Sequence, residues 1–208
     1  MRAVVLAGGP SRRFKGDKIF YRINGKPMIL YVLDKLSRSR LIEEVHVITS
    51  PDRVHLLHFL GVKNVIVDHL LIGPIGGILI SLEKLGDVFI VAADMPLLNP
   101  TFIDHIIELY KLHRHKYLAY VPAWRNGYLE PLHAVYTRDI LGPIRDCINN
   151  NIFSIQQILR LLGNKVYKIV LDDKPSEYKS SVYNVNTRSD LERIINIILS
   201  ELPHGFQK

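Results

Sequence analysis

The segment at positions 6–18, LAGGPSRRFKGDK, combines bare backbone with clustered positive charge. Gly8 and Gly9 follow the β-branched run at positions 3–5, and without side chains their backbone N–H groups can approach an anion closely. Four cations then fall within seven residues: Arg12, Arg13, Lys15 and Lys18. A polyphosphate fits this combination of exposed backbone donors and positive side chains.

Two common phosphate-binding motifs are absent from this segment. Lys18 is followed by Ile19, where a Walker loop has a magnesium-binding Ser or Thr, and there is no G-x-G-x-x-G pattern. The ordinary alternative is a solvated glycine-rich loop. The order of strand, glycine pair, basic run and closing Gly-Asp-Lys favours a phosphate-binding loop instead.

Asp94 directly follows the most apolar strand-like run, at positions 87–92. In open α/β sheets the ligand lies outside the carboxyl ends of the strands, so Asp94 and the first loop are expected to share one crevice. A carboxylate there can bind a hard divalent cation that also contacts phosphate oxygens. The alternative is a turn-forming aspartate before Pro96.

Asp68 ends another strand-like run, at positions 64–67, and precedes the turn Gly73-Pro74-Ile75-Gly76-Gly77. A carboxylate can accept from N1–H and the exocyclic amino group of guanine, a donor pair that adenine does not present. Asp68 could therefore accept from a guanine base, and the resemblance of this aspartate and turn to a nucleotidyltransferase family implies that it reads the base. A helix cap or a surface loop position is the structural alternative.

The elements that must position these residues alternate between strand and helix, which predicts a parallel sheet with helices on both faces. Predicted strands at 2–6, 44–49, 64–67 and 87–92 alternate with predicted helices at 26–36, 51–60, 74–85 and 100–116. A hairpin follows, with strands 117–122 and 129–136 around Arg125-Asn126-Gly127. Helices 137–149 and 154–162, strands 165–171 and 182–184, and a helix 187–202 complete the chain.

We therefore predict an α/β, Rossmann-like, doubly wound and mostly parallel sheet in a single domain. The domain spans residues 1–202, with a nucleotide half at about 1–100 and an acceptor half at about 101–202, and 203–208 form a C-terminal tail. The chain has 208 residues, of which 48% are hydrophobic, enough for a sizeable core. No apolar run approaches the ~20 residues of a membrane span.

The net charge of +7 indicates anionic partners, either small phosphorylated molecules or nucleic acid. The basic residues are spread along the chain, so nucleic acid is the less favoured partner. Cys147 is the only cysteine, which excludes an intrachain disulfide and a cysteine-based metal cluster. With no signal-peptide pattern at the N-terminus, a cytoplasmic location is expected.

The motifs together resemble a known enzyme family. Residues 6–18, followed by Asn24-Gly25-Lys26-Pro27-Met28, match L-A-G-G-x-S-x-R-x-G-x-D-K … G-K-P-(L/M) of nucleotidyltransferases, with Phe14-Lys15 where the family usually has Met-Gly. Residues 129–136 resemble the P-L-x-A-(L/V)-Y element of molybdenum cofactor guanylyltransferases, a branch of the MobA-like NTP transferase family. The resemblance implies transfer of GMP from GTP to the terminal phosphate of molybdopterin, with release of pyrophosphate.

The resemblance also implies roles for individual residues. Catalysis would use Arg12, Arg13, Lys18 and Asp94, with Mg²⁺ bound at Asp94. The nucleotide would contact Leu6, Ala7, Gly8, Gly9, Lys18, Ser50, Asp68, Gly73 and Asp94, although the family often has asparagine where this chain has Ser50. Asn184 and Asn186 lie in a family element near the metal, and Thr187 with Asp190 also resembles a capping box for the last helix.

The acceptor half is expected to bind the pterin's phosphate end between the 125–136 hairpin and residues 149–154. Arg125, His133 and the helix start near Ser154 are the candidates, against a solvated turn arginine and a core histidine. The alternative functions are nucleotide transfer to a sugar phosphate, phospholactate or corrinoid phosphate, and a non-catalytic nucleotide-binding module. Transient contact with other molybdenum cofactor biosynthesis proteins is a further expectation.

Overall fold

The computed structural model describes residues 1–9 and 17–200. Nine strands are present in these residues: β1 (Arg2–Leu6), β2 (Arg22–Ile23), β3 (Lys26–Pro27), β4 (Glu44–Thr49), β5 (Val65–Val67), β6 (Val88–Ala92), β7 (Ala119–Ala123), β8 (His133–Tyr136) and β9 (Val166–Val170). In this part of the chain seven strands form one sheet of order β5-β4-β1-β6-β8-β7-β9, and β2 pairs with β3 in a short separate ribbon. Only β8 runs against its neighbours, so the sheet is mostly parallel.

The same described ranges contain eight α-helices: α1 (Met28–Ser37), α2 (Val54–Phe59), α3 (Pro74–Leu85), α4 (Pro100–Leu112), α5 (Leu141–Asn149), α6 (Ile155–Leu162), α7 (Ser176–Ser181) and α8 (Arg188–Ser200). Short polar residues begin several of them. The Asn99 side chain accepts from the Phe102 N–H at 3.0 Å, and Ser154 accepts from Gln157 N–H, each satisfying an orphan donor of a first turn. None of these helices has both the length and the apolar character that crossing a membrane requires.

The two faces of the sheet bury separate cores, because successive side chains of a strand point to opposite sides. Ala3 and Val5 of β1 pack with residues of α1 and α4 on one face. Val4, between them, packs with residues of α3, α5 and α6 on the other face. All five residues of β6 are buried, as expected for a strand covered on both sides. A third cluster joins α8 to the start of α1 and to Ile23.

The strand order reverses direction at β1. The chain first proceeds from β1 to β4 and β5 on one side, and then returns to place β6 on the other side. At such a switch point the loops that follow two neighbouring strands turn away from each other and leave a crevice. Residues 7–9 follow β1 and residues 93–95 follow β6, so both predicted loops lie at this crevice.

Most predicted elements are confirmed, three boundaries are wrong and one predicted strand is missing from the described part of the chain. The strand predicted at 129–136 begins only at His133. Lys26 and Pro27 belong to the β2–β3 ribbon rather than to the first helix, which begins at Met28. The helix that follows Asn99 ends at Leu112, four residues before the predicted end. The predicted strand at 182–184 is absent from the described residues. Val182 and Val185 bury their side chains without strand pairing, and helix α7 precedes them in the predicted loop.

Candidate nucleotidyl-transfer site

A cavity of about 570 Å³ lies at the carboxyl ends of β1 and β6. The two loops of the switch point form its floor, residues 68–77 form one wall, and Asn184 and Asn186 form the opposite rim. Eight residues predicted from the sequence line it: Leu6, Ala7, Gly8, Gly9, Lys18, Asp68, Gly73 and Asp94. These eight residues, although separated by as many as 88 positions along the chain, therefore lie in one site.

The loop after β1 offers backbone to the cavity. The Ala7 N–H donates to the Ile48 carbonyl at 2.7 Å, which holds the chain beside β4 as it leaves the strand. A methyl group on Gly8 would lie 3.8 Å from Ser50 N, and one on Gly9 would meet nothing within 4 Å in the described part of the chain. Packing of the protein thus does not demand glycine at either position. The bare backbone is what a ligand in the cavity would meet.

Arg53 fastens the two described ends of the loop to each other. Its guanidinium donates to the carbonyls of Ala7 (2.7 Å) and Gly9 (3.2 Å), and its Nε lies 2.6 Å from Asp17 Oδ2. The Arg53 side chain is only 10% exposed, so these contacts are shielded from water. The sequence analysis missed this residue, because its partners lie 46, 44 and 36 positions away and no local pattern marks an arginine as buried.

Lys18 and Asp94 meet at the bottom of the cavity. The Lys18 ammonium donates to Asp94 Oδ2, to the Val185 carbonyl at 3.0 Å and to Asn186 Oδ1 at 3.3 Å. The two side chains of the ion pair are 17% and 14% exposed. The segment 184–186 is attached to the same point, since the Val185 N–H donates to the Asp94 carbonyl at 2.9 Å. One cation thus links the loops after β1 and β6 to the segment before α8.

The second carboxylate oxygen of Asp94 marks a place for a further ligand. Oδ1 is buried and accepts no hydrogen bond from the described residues. A buried oxygen of this kind is costly unless something supplies a proton or a positive charge. No group of three His, Cys, Asp or Glu side chains that could hold a metal exists among the described residues. One carboxylate oxygen nevertheless suits Mg²⁺, which takes one or two carboxylates together with phosphate oxygens and water.

Asp68 organises the wall of the cavity that faces the switch point. Its Oδ1 accepts the N–H groups of Leu70 (2.9 Å) and Leu71 (3.1 Å), which fixes the turn that leads to Gly73. The side chain therefore caps a turn, as the structural alternative held, and it also lines the cavity. Within the described residues Oδ2 accepts no hydrogen bond, so an acceptor remains on this wall, and the guanine contact stays a prediction.

Packing favours glycine at one position of this wall. A Cβ on Gly77 would lie 2.8 Å from Leu6 Cδ2, closer than real Cβ contacts, so the Leu6 side chain would have to shift. With no side chain at residue 77, helix α3 approaches the end of β1 without displacing Leu6. Gly73, at φ +79°, adopts a backbone conformation that favours glycine and turns the chain into α3.

One described residue of the predicted site, Ser50, stands apart from this arrangement. Ser50 is buried and does not line the cavity, and its hydroxyl, hydrogen-bonded to Asp52, holds the pKa of that carboxyl below its usual value. The Ser50 base contact therefore stays a prediction. Arg12 and Arg13 lie outside the described residues.

The residues predicted to hold the acceptor phosphate are engaged elsewhere. His133 is fully buried, stacks on Phe102 with ring centroids 5.2 Å apart, and has its pKa lowered to about 3 by burial. It is a neutral core histidine, as the alternative held. The Arg125 guanidinium lies 2.6 Å from Asp173, and none of the residues at 149–154 lines the cavity. Burial thus excludes the His133 contact, and the groove between the 125–136 hairpin and residues 149–154 stays a prediction.

The sequence comparison finds close relatives along nearly the whole chain. A family model described as "MobA-like NTP transferase domain" matches residues 3–166. A protein of Thermococcus sibiricus named "Probable molybdenum cofactor guanylyltransferase" is 43% identical over 194 residues, which is 93% of this chain and 97% of the relative. A protein of the same name from Thermococcus gammatolerans is 44% identical over 194 residues, covering 93% and 98%.

The structural comparison agrees with the sequence comparison. The crystal structure of "Molybdopterin-guanine dinucleotide biosynthesis protein A" from Archaeoglobus fulgidus superimposes with a TM-score of 0.81 and 26% sequence identity. The match covers 97% of this chain and 100% of that one. Sheet, crevice and flanking helices thus follow a fold already seen in a solved relative.

Proposed function

We propose that this chain, which belongs to the MobA-like NTP transferase family, transfers GMP from GTP to the terminal phosphate of molybdopterin, giving molybdopterin guanine dinucleotide and pyrophosphate. The proposal rests on the ion pair of Lys18 and Asp94 at the switch-point cavity, beside the bare backbone of Gly8 and Gly9. A polyphosphate requires such a set of groups: a cation, a carboxylate that can hold a metal, and exposed backbone N–H groups. The names of relatives at 43–44% identity supply the acceptor.

The reaction needs no general base. A phosphate oxygen of the acceptor is already an anion, and it attacks the α-phosphorus of GTP as the bond from that phosphorus to the β-phosphate oxygen breaks. The pair of electrons leaves with pyrophosphate, so negative charge builds on the departing group. Catalysis then consists of holding the reactants in line and stabilising this charge.

Each group at the cavity has a task in this scheme. The amides of Gly8 and Gly9, together with Arg12, Arg13 and Lys18, are proposed to bind the phosphates that leave. Lys18 is held in place by the Val185 carbonyl and by Asn186, so its charge is oriented before the substrate arrives. Asp68 and Gly73 are proposed to line the guanine end of the nucleotide.

Magnesium is the proposed metal, and Asp94 its protein ligand. Oδ1 is the buried oxygen that accepts no hydrogen bond from the described residues, and the cavity that Asp94 lines has room for phosphate oxygens and water. A divalent cation at this place would neutralise phosphate charge and polarise the α-phosphoryl group. Both substrates are small phosphorylated metabolites, which supports a cytoplasmic location and transient contact with the proteins that make and consume the pterin.

A pyrophosphate-release assay over the four nucleoside triphosphates, with and without molybdopterin, tests the proposal. We expect release only with GTP and molybdopterin together, and only with a divalent cation. Asp94→Ala and the isosteric Asp94→Asn are each expected to abolish turnover while the circular dichroism spectrum stays unchanged. Asp139→Ala, which removes a carboxylate from an exposed 3-10 turn, is the matched control and is expected to behave like the wild type.

Two results would contradict the proposal in different ways. Near-normal turnover of folded Asp94→Ala protein would remove the metal assignment and leave the reaction standing. Release that depends on a sugar phosphate instead of molybdopterin would change the acceptor and leave the nucleotide site standing.

A further inference from the structure

A second cavity of about 270 Å³ opens beside the nucleotide cavity and shares Asn184 and Asn186 with it. Tyr128 and Glu130, from the β7–β8 connection, form one side. Tyr183 and Arg193 form the other side. Because the shared asparagines lie next to Lys18 and Asp94, a molecule in this cavity would reach the transfer point with one end.

Glu130 is an acceptor without a cationic partner. Its Oε1 accepts from the Trp124 indole N–H at 2.7 Å, and its own N–H donates to the Pro122 carbonyl at 2.8 Å. No Lys or Arg of the described residues forms an ion pair with it. Burial, only partly offset by the Trp124 hydrogen bond, raises the pKa of this carboxyl. A carboxylate in such surroundings is stabilised by a ligand that brings N–H donors.

The other acidic side chain of the cavity is already engaged. Asp190 Oδ2 accepts the N–H groups of Asn186 (2.9 Å) and Thr187 (2.8 Å), which caps helix α8. Hydrogen bonds from Asn186 and Thr187, with the nearby Arg193 charge, hold the pKa of Asp190 below its usual value. Asp190 is therefore committed to the helix cap, whereas Glu130 is the carboxylate of this cavity that accepts no backbone N–H in the described residues.

Arg193 and Tyr183 offer a flat surface opposite Glu130. The Arg193 guanidinium lies over the Tyr183 ring, 5.0 Å from its centroid, and donates no hydrogen bond within the described residues. A planar cation on an aromatic ring is a surface on which a fused heteroaromatic ring can stack. The cavity thus combines an edge acceptor with a stacking face.

We infer that this second cavity binds the aminopyrimidinone ring system of the acceptor, with Glu130 accepting from its ring N–H and exocyclic amino group. The inference rests on the proposed function, since it assumes that the acceptor is a pterin phosphate. The phosphate end then extends past Asn184 and Asn186 toward Lys18. The outer face of the Arg193 guanidinium, which lies on Tyr183, stacks against the ring, and Arg125, which the sequence favoured, has no part in this site.

Binding of 6-hydroxymethylpterin monophosphate, followed by fluorescence anisotropy, tests the inference without turnover. Glu130→Gln keeps the acceptor that Trp124 needs and puts an amide donor where the pterin presents donors. We expect it to raise the Kd for the pterin roughly 5- to 100-fold, the usual penalty for losing a bidentate edge contact. Arg193→Ala is expected to raise it about 2- to 5-fold through lost stacking. The Kd for GTP should change less than twofold in both.

Helix α8, which carries Arg193, also offers matched control positions. Glu192→Gln and Arg188→Ala make the same chemical changes at exposed positions that do not line the cavity, and both are expected to bind the pterin like the wild type. Wild-type protein that does not bind the pterin, or Glu130→Gln protein that binds it unchanged, overturns the inference.

Turnover separates this inference from the proposed function. If the wild type transfers GMP to molybdopterin and Glu130→Gln leaves the KM for molybdopterin unchanged, the inference fails and the function stands. If the wild type binds the pterin with the expected Glu130 dependence and transfers nothing to it, the pterin site stands and the function fails.

Discussion

Removing the Arg53 guanidinium is the sharpest test of how the site is built. Arg53 donates to the carbonyls of Ala7 and Gly9 and pairs with the carboxylate of Asp17, so Arg53→Ala removes one donor from each of three oxygens, of which the Ala7 carbonyl keeps the Thr49 hydroxyl (3.2 Å). Breaking a buried ion pair from one side typically costs about 3–5 kcal/mol. Because Asp17 keeps 26% exposure, we expect the lower end, about 3 kcal/mol. For a domain of this size that lowers the Tm by roughly 6–12 °C.

The catalytic effect should be separable from the stability effect. Without Arg53, the backbone that carries the Gly8 and Gly9 amides is no longer connected to Asp17, the residue before Lys18. A misplacement of ~1 Å in a positioned group can cost about 10²-fold in rate, and we expect a loss of that order in kcat/KM. The assay is pyrophosphate release with GTP and molybdopterin, run at a temperature where both proteins are fully folded by circular dichroism.

Two further variants show what kind of role Arg53 has. Arg53→Lys keeps the charge beside Asp17, but one nitrogen cannot reach three oxygens, so we expect it to recover most of the Tm and only part of kcat/KM. Arg145→Ala is the control, because it breaks an exposed pair with Glu83 (2.7 Å) whose side chains are 56% and 40% exposed. Such a surface pair is worth about 0–1 kcal/mol and should not affect turnover.

One result would refute this reasoning about the loop. If folded Arg53→Ala protein has a kcat/KM within twofold of the wild type, Arg53 stabilises the fold and does nothing for the phosphate site.

Three other changes test the remaining parts of the site. Lys18→Ala should lower kcat about 10²–10³-fold in single-turnover pyrophosphate release, and an effect confined to GTP affinity would show that Lys18 binds only the ground state. Asp68→Asn keeps the oxygen that fixes the 68–73 turn but replaces the second acceptor with a donor. Calorimetry should therefore show that GTP binding is weakened more than ATP binding. Equal affinity of the wild type for CTP and GTP would remove the guanine assignment. Gly77→Ala should lower the free energy of unfolding by about 1–3 kcal/mol because of the contact with Leu6. Gly142→Ala has open space around it and should raise the free energy of unfolding by about 0.4–1 kcal/mol. Equal urea midpoints for the two variants would contradict the packing argument.

The sequence predicted best what depends on neighbouring residues. The strand at 2–6, the buried strand before Asp94 and the capped helix after Asn99 all follow from local patterns of apolar side chains and caps. The crevice followed as well, because the carboxyl ends of parallel strands meet at one edge of the sheet. The same rule was enough to predict that Lys18 and Asp94 share one site, where they form an ion pair.

What the sequence could not predict depends on partners distant along the chain. Arg125 stands in the predicted hairpin turn and was a candidate for the acceptor phosphate, and only the fold shows that Asp173 is its partner. The segment at 182–185 has the apolar pattern of a strand, but it reaches the site through one backbone bond from Val185 to Asp94. Glu130 is half-buried next to Trp124, a result of how β7 and β8 diverge that local propensity does not encode.

The unequal pairing of β8 has a consequence for amide hydrogen exchange. On one side four residue pairs join it to β6, from Val91 with His133 to Val88 with Tyr136, whereas on the other side only two pairs join it to β7. The hairpin therefore divides at the end nearest the site. There, an isolated bridge between Ala123 and Leu129 and two backbone hydrogen bonds, from Glu130 N–H to the Pro122 carbonyl and from Trp124 N–H to the Tyr128 carbonyl (2.8 Å each), join the connection to β7. Opening at this fork exposes few amides and leaves β1 and β6 intact. Exchange at the fork should accordingly be local and fast, and exchange in β6 global and slow.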